Sequence, residues 1–277
     1  MNKRAEEIRN EVSMSYSQRV SEPSGRGCCG AAPLQKGAVV KLAGYSGAEL
    51  AALPPQAVVN SFGCGNPVAH AGLRPGDVVV DLGSGAGIDL LLAAKKVEPG
   101  GKVIGVDMTG AMIAKARENI RASGLTNIEV RQGIIEELPV ESGSVDWVIS
   151  NCVINLSPEK PRAFAEIARV LKPGGQMYVS DIMARDLPNE LTAIPAFYSS
   201  CVSGAISEEE YLAGLRAAGL AQAEVRERLV YGASQLAGFA DSELEGLLDP
   251  DSKQLAALVR SLEGKVWSAK VYARKPA

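Results

Sequence analysis

One stretch limits the possible folds more than any other. Asp77-Val78-Val79-Val80-Asp81-Leu82 is a short, nearly continuous apolar run, the pattern of a strand covered on both faces. Gly83-Ser84-Gly85-Ala86-Gly87 follows, and Ile88, Leu91, Leu92 and Val97 then share one helical stripe. Glycines at 83, 85 and 87 permit a tight strand-to-helix turn and let backbone approach a ligand closely. Val103-Ile104-Gly105-Val106-Asp107 makes a second strand, ending in an acid 107 − 87 = 20 residues after the last of those glycines. An acid at that place accepts hydrogen bonds from ribose hydroxyls.

The alternation continues. A helix from Thr109 to Gly124 carries Met112, Ala116 and Ile120 on one face, with Thr109 as its expected cap. Ile128-Glu129-Val130 reads as a third strand and Val145 to Ser150 as a fourth. Ser157-Pro158 starts a helix through Phe164, Ile167 and Leu171, closed by Pro173-Gly174-Gly175, and Gln176 to Ile182 is a fifth strand. Ser207 with Glu210 forms a capping-box pattern before a helix at Tyr211 to Ala218. Ala223 to Tyr231 and Val266 to Arg274 are two further strands, with a helical insertion expected over 232–264. Residues 1–20 predict a weakly amphipathic helix, 21–37 a loop, and 38–62 one or two short helices around Pro54-Pro55. The sum is an α/β protein with a doubly wound, mostly parallel, seven-stranded Rossmann-like sheet. It carries an N-terminal helical segment (1–60), a ligand-binding core (61–220) and a small C-terminal α+β extension (221–277).

The glycine loop also discriminates between cofactors. A dinucleotide fingerprint wants glycine at 88, where this chain has Ile88, and Asp81 stands two residues before the first glycine. A carboxylate there repels a pyrophosphate but receives a cationic, hydrogen-bond-donating ligand. S-adenosylmethionine carries a sulfonium and an amino group and no phosphate, so the acid-rich loop favours it over a nicotinamide dinucleotide.

Charge and thiol content narrow the rest. Formal charge is 29 − 32 = −3, which argues against a broad basic face for nucleic acid. Met1 to Val20 has no apolar signal region and no run approaches membrane-helix length, so a cytoplasmic chain is expected, without membrane partners. The single histidine, His70, disfavours a His-rich metal centre and reads as a surface or structurally satisfied residue. Five cysteines, an odd number, argue against a disulfide framework and for reactive or ligating sulfur. Cys64 sits in a glycine-flanked turn, Cys152 ends the fourth strand, and Cys201 follows the fifth. By topology all three reach the ligand rim of the sheet. Three thiolates there would suit a soft metal or metalloid, although each alone also reads as a small buried hydrophobe.

Asp81-Leu82-Gly83-Ser84-Gly85-Ala86-Gly87 resembles the cofactor loop of class I S-adenosylmethionine methyltransferases, over roughly residues 77–182. That resemblance implies that Asp107 holds the ribose, that Met108 packs on the adenine, and that Gly133-Ile134-Ile135-Glu136 lines the adenine edge. It places Ser150-Asn151-Cys152 toward the methionine moiety. A narrower resemblance is to the arsenite methyltransferases, over about residues 60–220. Phe62-Gly63-Cys64-Gly65-Asn66-Pro67 is similar to that family's Tyr-Gly-Cys-Gly segment. Ser150-Asn151-Cys152-Val153-Ile154-Asn155-Leu156 looks like its Ser-Asn-Cys-Val-Ile-Asn-Leu segment, and Cys201-Val202-Ser203-Gly204-Ala205 like its Cys-x-Gly-Gly-Ala segment. Asp107-Met108-Thr109 matches as well. The third segment departs at Ser203, which replaces the first glycine, and at Ile206-Ser207.

By this resemblance Cys64, Cys152 and Cys201 become thiolate ligands of trivalent arsenic, and either Cys28 or Cys29 takes the place of an additional N-terminal cysteine. The implied partners are arsenite or methylarsenite and a thiol co-substrate or reductant, glutathione- or thioredoxin-like. The implied outcome is arsenic detoxification. Two other readings stay open at this level: a methyltransferase of a small organic metabolite, and a non-catalytic metalloid-binding protein.

Overall fold

The computed structural model describes residues 3–21, 43–61, 63–187, 202, 204–232, 236, 257 and 260–277. Cys28, Cys29 and Cys201 lie outside these, as does most of the expected insertion at 232–264. Among the described residues, four helices precede the sheet: α1 (Lys3–Ser21), α2 (Gly47–Ala51), α3 (Pro55–Val59) and α4 (Pro67–His70). Then come β1 (Val78–Leu82), α5 (Ile88–Val97), β2 (Lys102–Asp107), α6 (Gly110–Ser123), β3 (Ile128–Gln132) and β4 (Val145–Asn151). A 3₁₀ turn (Ile154–Leu156) leads to α7 (Lys160–Val170), β5 (Leu171–Ala184), α8 (Glu208–Ala217), β6 (Ala221–Val230) and β7 (Val266–Arg274).

All seven strands join one sheet in the order β3-β2-β1-β4-β5-β7-β6. The first five pair in parallel, and β7 enters antiparallel between β5 and β6. The doubly wound sheet is therefore as expected, and the C-terminal strands extend it at one edge. Strand order reverses between β1 and β4, the place where open α/β sheets leave a crevice at their carboxyl ends.

Side-chain alternation along β1 decides what faces what. Val80 and Leu82 point to one layer, where Phe164 and Ile167 of α7 and Tyr211 of α8 are buried. The Phe164 and Tyr211 rings meet edge-on with centroids 5.1 Å apart. Val79 points to the other layer and packs with Leu90, Leu91 and Ala94 of α5. Because the period is two, Asp81 shares the face of Val79 and meets the start of α5.

Two local expectations differ from what forms. Leu171 does not end α7 but opens β5, because its backbone pairs with Val145 of β4. Thr109 occupies the cap position of α6 without a side-chain capping bond; its N–H instead donates to Asp107 Oδ1 at 2.8 Å. Ser207 and Glu210 do form a reciprocal capping box at α8.

Candidate active site

The carboxyl ends of β1 and β4 open into a cavity that is open to solvent on one side. Asp81, Gly83, Ser84 and Gly85 line it from β1 and the turn that follows. Asp107, Met108, Ile135 and Glu136 line it from the ends of β2 and β3, while Asn151 and Cys152 close it from β4. The residues expected around a cofactor are thus brought together.

Asp107 is held in place by backbone donors. Gly85 N–H donates to its Oδ2 at 2.9 Å and Thr109 N–H to its Oδ1. Burial raises its pKa above the ordinary carboxylate value, and these backbone bonds offset that rise only in part. Each carboxylate oxygen keeps a lone pair, enough to accept ribose hydroxyls.

Asp81 is the unusual member. It is 2% exposed, and its Oδ2 has no hydrogen-bond partner among the described residues. Burial first, then the neighbouring Asp89 and Asp107, hold its pKa well above the carboxylate range. The buried Ser84 hydroxyl is also without a partner. An orphaned buried acceptor costs about 1–3 kcal/mol, which a ligand bearing N–H donors and positive charge removes. A phosphate would add charge of the wrong sign. The donor set therefore fits S-adenosylmethionine.

Two contributors to the site carry no motif in the sequence. Asp89, in the first turn of α5, is buried beside Asp81, accepts the Tyr45 hydroxyl at 2.8 Å and lies 3.2 Å from the Asn151 amide nitrogen. Burial raises its pKa to about 6, against the pull of those two hydrogen bonds. The other is α1, whose Arg9, Val12 and Tyr16 form part of the cavity wall. Arg9 pairs with the buried Glu136 at 3.2 Å and also with Glu159. Ser157 donates to Glu136 Oε1 at 2.6 Å, so this carboxylate, expected at the adenine edge, is also the anchor for α1.

Cys64 and Cys152 meet at the rim of the same cavity. They form a disulfide with Cα atoms 5.9 Å apart. Two of the cysteines expected as ligating thiolates are thus joined to each other, where the odd thiol count argued against a disulfide framework. The reason is tertiary: Cys64 packs with Cys152, Ile182 and Val202 in one apolar cluster. Cys152 N–H donates to Ser180 O at 2.8 Å, and the Ser268 hydroxyl donates to Cys64 O at 3.3 Å. Cys152 also has φ +59°, a left-handed backbone that costs a non-glycine residue on the order of 1–3 kcal/mol and is found where function fixes geometry. Val202, next in chain to Cys201, belongs to this cluster. Among the described residues no three His, Cys, Asp or Glu side chains gather as a metal site. His70 lies away from the cavity, stacked on Tyr178 with centroids 5.7 Å apart.

A parallel sheet reversing at β1/β4, a glycine turn and two acids at the adjoining strand ends define a Rossmann-like methyltransferase. Comparison with known proteins narrows this. Residues 73–219, more than half of the chain, match the family model described as a methyltransferase domain. The chain is 40% identical over 252 residues to an arsenite methyltransferase of Halobacterium salinarum, covering 91% of this chain and 59% of that protein. It is 36% identical over 145 residues to the human arsenite methyltransferase, covering 48% and 38% respectively. Among solved structures it is similar to an arsenic(III) S-adenosylmethionine methyltransferase of Chlamydomonas reinhardtii. The TM-score there is 0.66 and the identity 32%, over 83% of this chain and 72% of that one. The chain belongs to the arsenite methyltransferase family of S-adenosylmethionine-dependent methyltransferases. It spans less than two thirds of the length of the curated relatives it matches. No helix among the described residues is long and apolar enough to cross a membrane.

Proposed function

We propose that this chain transfers a methyl group from S-adenosylmethionine to thiolate-bound trivalent arsenic, using Cys64, Cys152 and Cys201 as ligands. One observation carries the reading. Two cysteines 88 residues apart converge at the rim of the cavity whose inner wall holds Asp81 and Asp107. The neighbour of the third cysteine packs into the same cluster.

The disulfide has to open first. Two thiols, or one dithiol, supply two electrons and two protons, leaving free thiols on Cys64 and Cys152 and an oxidised thiol partner. A thiol reductant of the cytoplasm serves this step. Arsenite then exchanges hydroxyls for thiolates, each As–S bond forming with release of one water. Soft sulfur holds the soft arsenic centre and leaves its lone pair free. When bound, S-adenosylmethionine supplies an electrophilic sulfonium methyl that this lone pair attacks.

The chain's own work is orientation. Asp107 is placed to accept ribose hydroxyls, and Asp81 with Asp89 to face the cationic end of the donor. Positioning of this kind contributes about 7–11 kcal/mol to lowering a two-body barrier. No proton leaves arsenic in the transfer, and no histidine lines the cavity, so no general base is assigned.

Attack by the lone pair leaves a cationic arsenic(V) centre bearing the methyl group and three thiolates. The thiol reductant supplies two electrons, becoming a disulfide, and one cysteine leaves as a free thiol, so trivalent methylarsenic keeps two thiolates. Cys152 and Cys201 are therefore needed in every round, and Cys64 most for inorganic arsenite. Cys28 or Cys29 delivers arsenic or exchanges disulfides with this set. Assaying Cys64→Ser with arsenite and with methylarsenite tests the assignment. A selective loss on arsenite supports it, and equal loss on both contradicts it.

A further inference from the structure

The turn that carries Cys64 is held by a side chain from another strand. Asn151, the last residue of β4, accepts a hydrogen bond from Gly65 N–H at 3.0 Å and donates one to the Gly65 carbonyl at 2.5 Å. This two-sided grip needs close approach. A Cβ on Gly63 would stand 2.2 Å from the Asn151 amide nitrogen, and one on Gly65 would stand 2.3 Å from the Ser180 hydroxyl.

The orientation of the carboxamide is fixed from behind. Its nitrogen also lies 3.0 Å from the Tyr45 hydroxyl and 3.2 Å from Asp89 Oδ2. Tyr45 gives its proton to Asp89 Oδ1 at 2.8 Å, which leaves its oxygen as an acceptor toward Asn151. Three acceptors thus gather around the amide nitrogen, and the one donor, Gly65 N–H, faces the amide oxygen. Turning the group over would set its oxygen against a carboxylate, a phenol oxygen and a carbonyl at once.

Asn151 directly precedes Cys152 in the chain. A single side chain therefore ties the two cysteine segments together by hydrogen bonds that do not involve sulfur. While the disulfide is closed, that tie is redundant. Once it opens, the Asn151 grip on Gly65 remains as the direct tie between the two cysteine segments, beside the Ser268 bond to Cys64 O and the apolar packing of Cys64.

We infer that Asn151 is a positioning residue for Cys64, holding its turn against β4 in the reduced protein, with Tyr45 and Asp89 orienting the carboxamide. This rests on the reading of Cys64 and Cys152 as arsenic ligands. Chelation through a second thiolate is strong because the first bond fixes the effective concentration of the next. A loosened turn lowers that concentration for Cys64 alone. Asn151 thereby acts on arsenite affinity through one ligand, a role distinct from touching either the donor or the arsenic.

A double-mutant cycle on the reduced full chain tests it, with arsenite affinity as the readout and the circular dichroism spectrum as the check of folding. Asn151→Ala is expected to weaken arsenite about tenfold when Cys64 is present, and less than about twofold when Cys64 is already serine. Tyr45→Phe, which removes one support and leaves the grip on Gly65, is expected to show the same dependence on Cys64 at smaller size. If Asn151→Ala does not fold, the Tyr45→Phe cycle decides alone. The same loss in both Cys64 backgrounds overturns the proposal, because the residue then acts on something other than Cys64. The underlying reading fails differently: Cys64→Ser in the otherwise unaltered chain would bind arsenite as tightly as the parent.

Discussion

Cys64 and Cys152 lie 88 residues apart in the chain and are bonded to each other, with their Cα atoms 5.9 Å apart at the mouth of the cavity that Asp81 and Asp107 line. A pair joined in this way has no sulfur valence for arsenic, so the oxidised and binding-competent forms exclude one another.

The first expected outcome follows from that exclusion. Protein isolated without reductant is expected to leave Cys64 and Cys152 unlabelled by a maleimide and to bind arsenite far more weakly than the reduced chain. Treatment with a dithiol is expected to restore both labelling and binding. Peptide mass analysis of the labelled protein checks it; arsenite bound as tightly by the chain with its Cys64–Cys152 bond intact as by the reduced chain would be the opposite result.

The carboxyl pair below the glycine turn sets a pH dependence. Burial raises Asp89 from its ordinary 3.8 to about 6, and burial with the neighbouring Asp89 and Asp107 holds Asp81 well above the ordinary value. A carboxyl with a raised pKa takes up its proton on folding, so the contribution of Asp89 to stability is full below about 3.8 and is lost as pH rises through about 6. A cationic donor has the opposite preference, since it binds the ionised form. Calorimetric titration with S-adenosylmethionine is expected to show affinity falling as pH drops through about 6, by up to about tenfold per unit. In Asp89→Asn that inflection is expected to weaken or vanish. A flat profile in the parent would contradict the assignment of these carboxylates to the donor's cationic end.

Arg9 fastens α1 to the cavity wall. Its guanidinium pairs with Glu136, whose side chain is 3% exposed. Arg9→Ala removes the cation from a buried carboxylate, a change that destabilises by on the order of 3 kcal/mol. Both the melting temperature and the donor affinity are expected to fall, with partial recovery in Arg9→Lys. Unchanged donor affinity would mean that α1 is not a wall of the donor site.

Gly63→Ala places a methyl group 2.2 Å from the Asn151 amide nitrogen. The turn has to shift to admit it, an overpacking that costs about 1–3 kcal/mol. The reduced variant is expected to bind arsenite more weakly than the parent, which a thiol-competition assay would read directly. Parent-like binding would show that the turn tolerates displacement.

The β1–α5–β2 unit is legible in sequence because each of its signals is local. An apolar run, a glycine turn, a helical stripe and an acid follow one another within about thirty residues, and strand-end position carries Asp81 and Asp107 to the crevice automatically. Asp89 hides in the same stretch, since an acid in the first turn of a helix also reads as a favourable partner of the helix dipole. Only the tertiary position of Tyr45, 44 residues away, shows that it is buried. Arg9 is invisible for a related reason. Nothing near it in the chain indicates that α1 will dock 127 residues further on, at Glu136. The meeting of Cys64 with Cys152 lies between these cases. Topology brings both to one rim, but bonding distance depends on the Asn151 grip and on close packing at Gly63 and Gly65, which no local pattern encodes.

The most direct test of the central claim is to incubate the reduced chain with methyl-labelled S-adenosylmethionine and arsenite, then separate arsenic species with element-specific detection. Labelled methylarsenic is expected, matched mole for mole by S-adenosylhomocysteine and absent in Cys152→Ser. Folded, donor-binding protein that yields no methylated arsenic, or a Cys152→Ser variant that yields as much as the parent, would contradict the account.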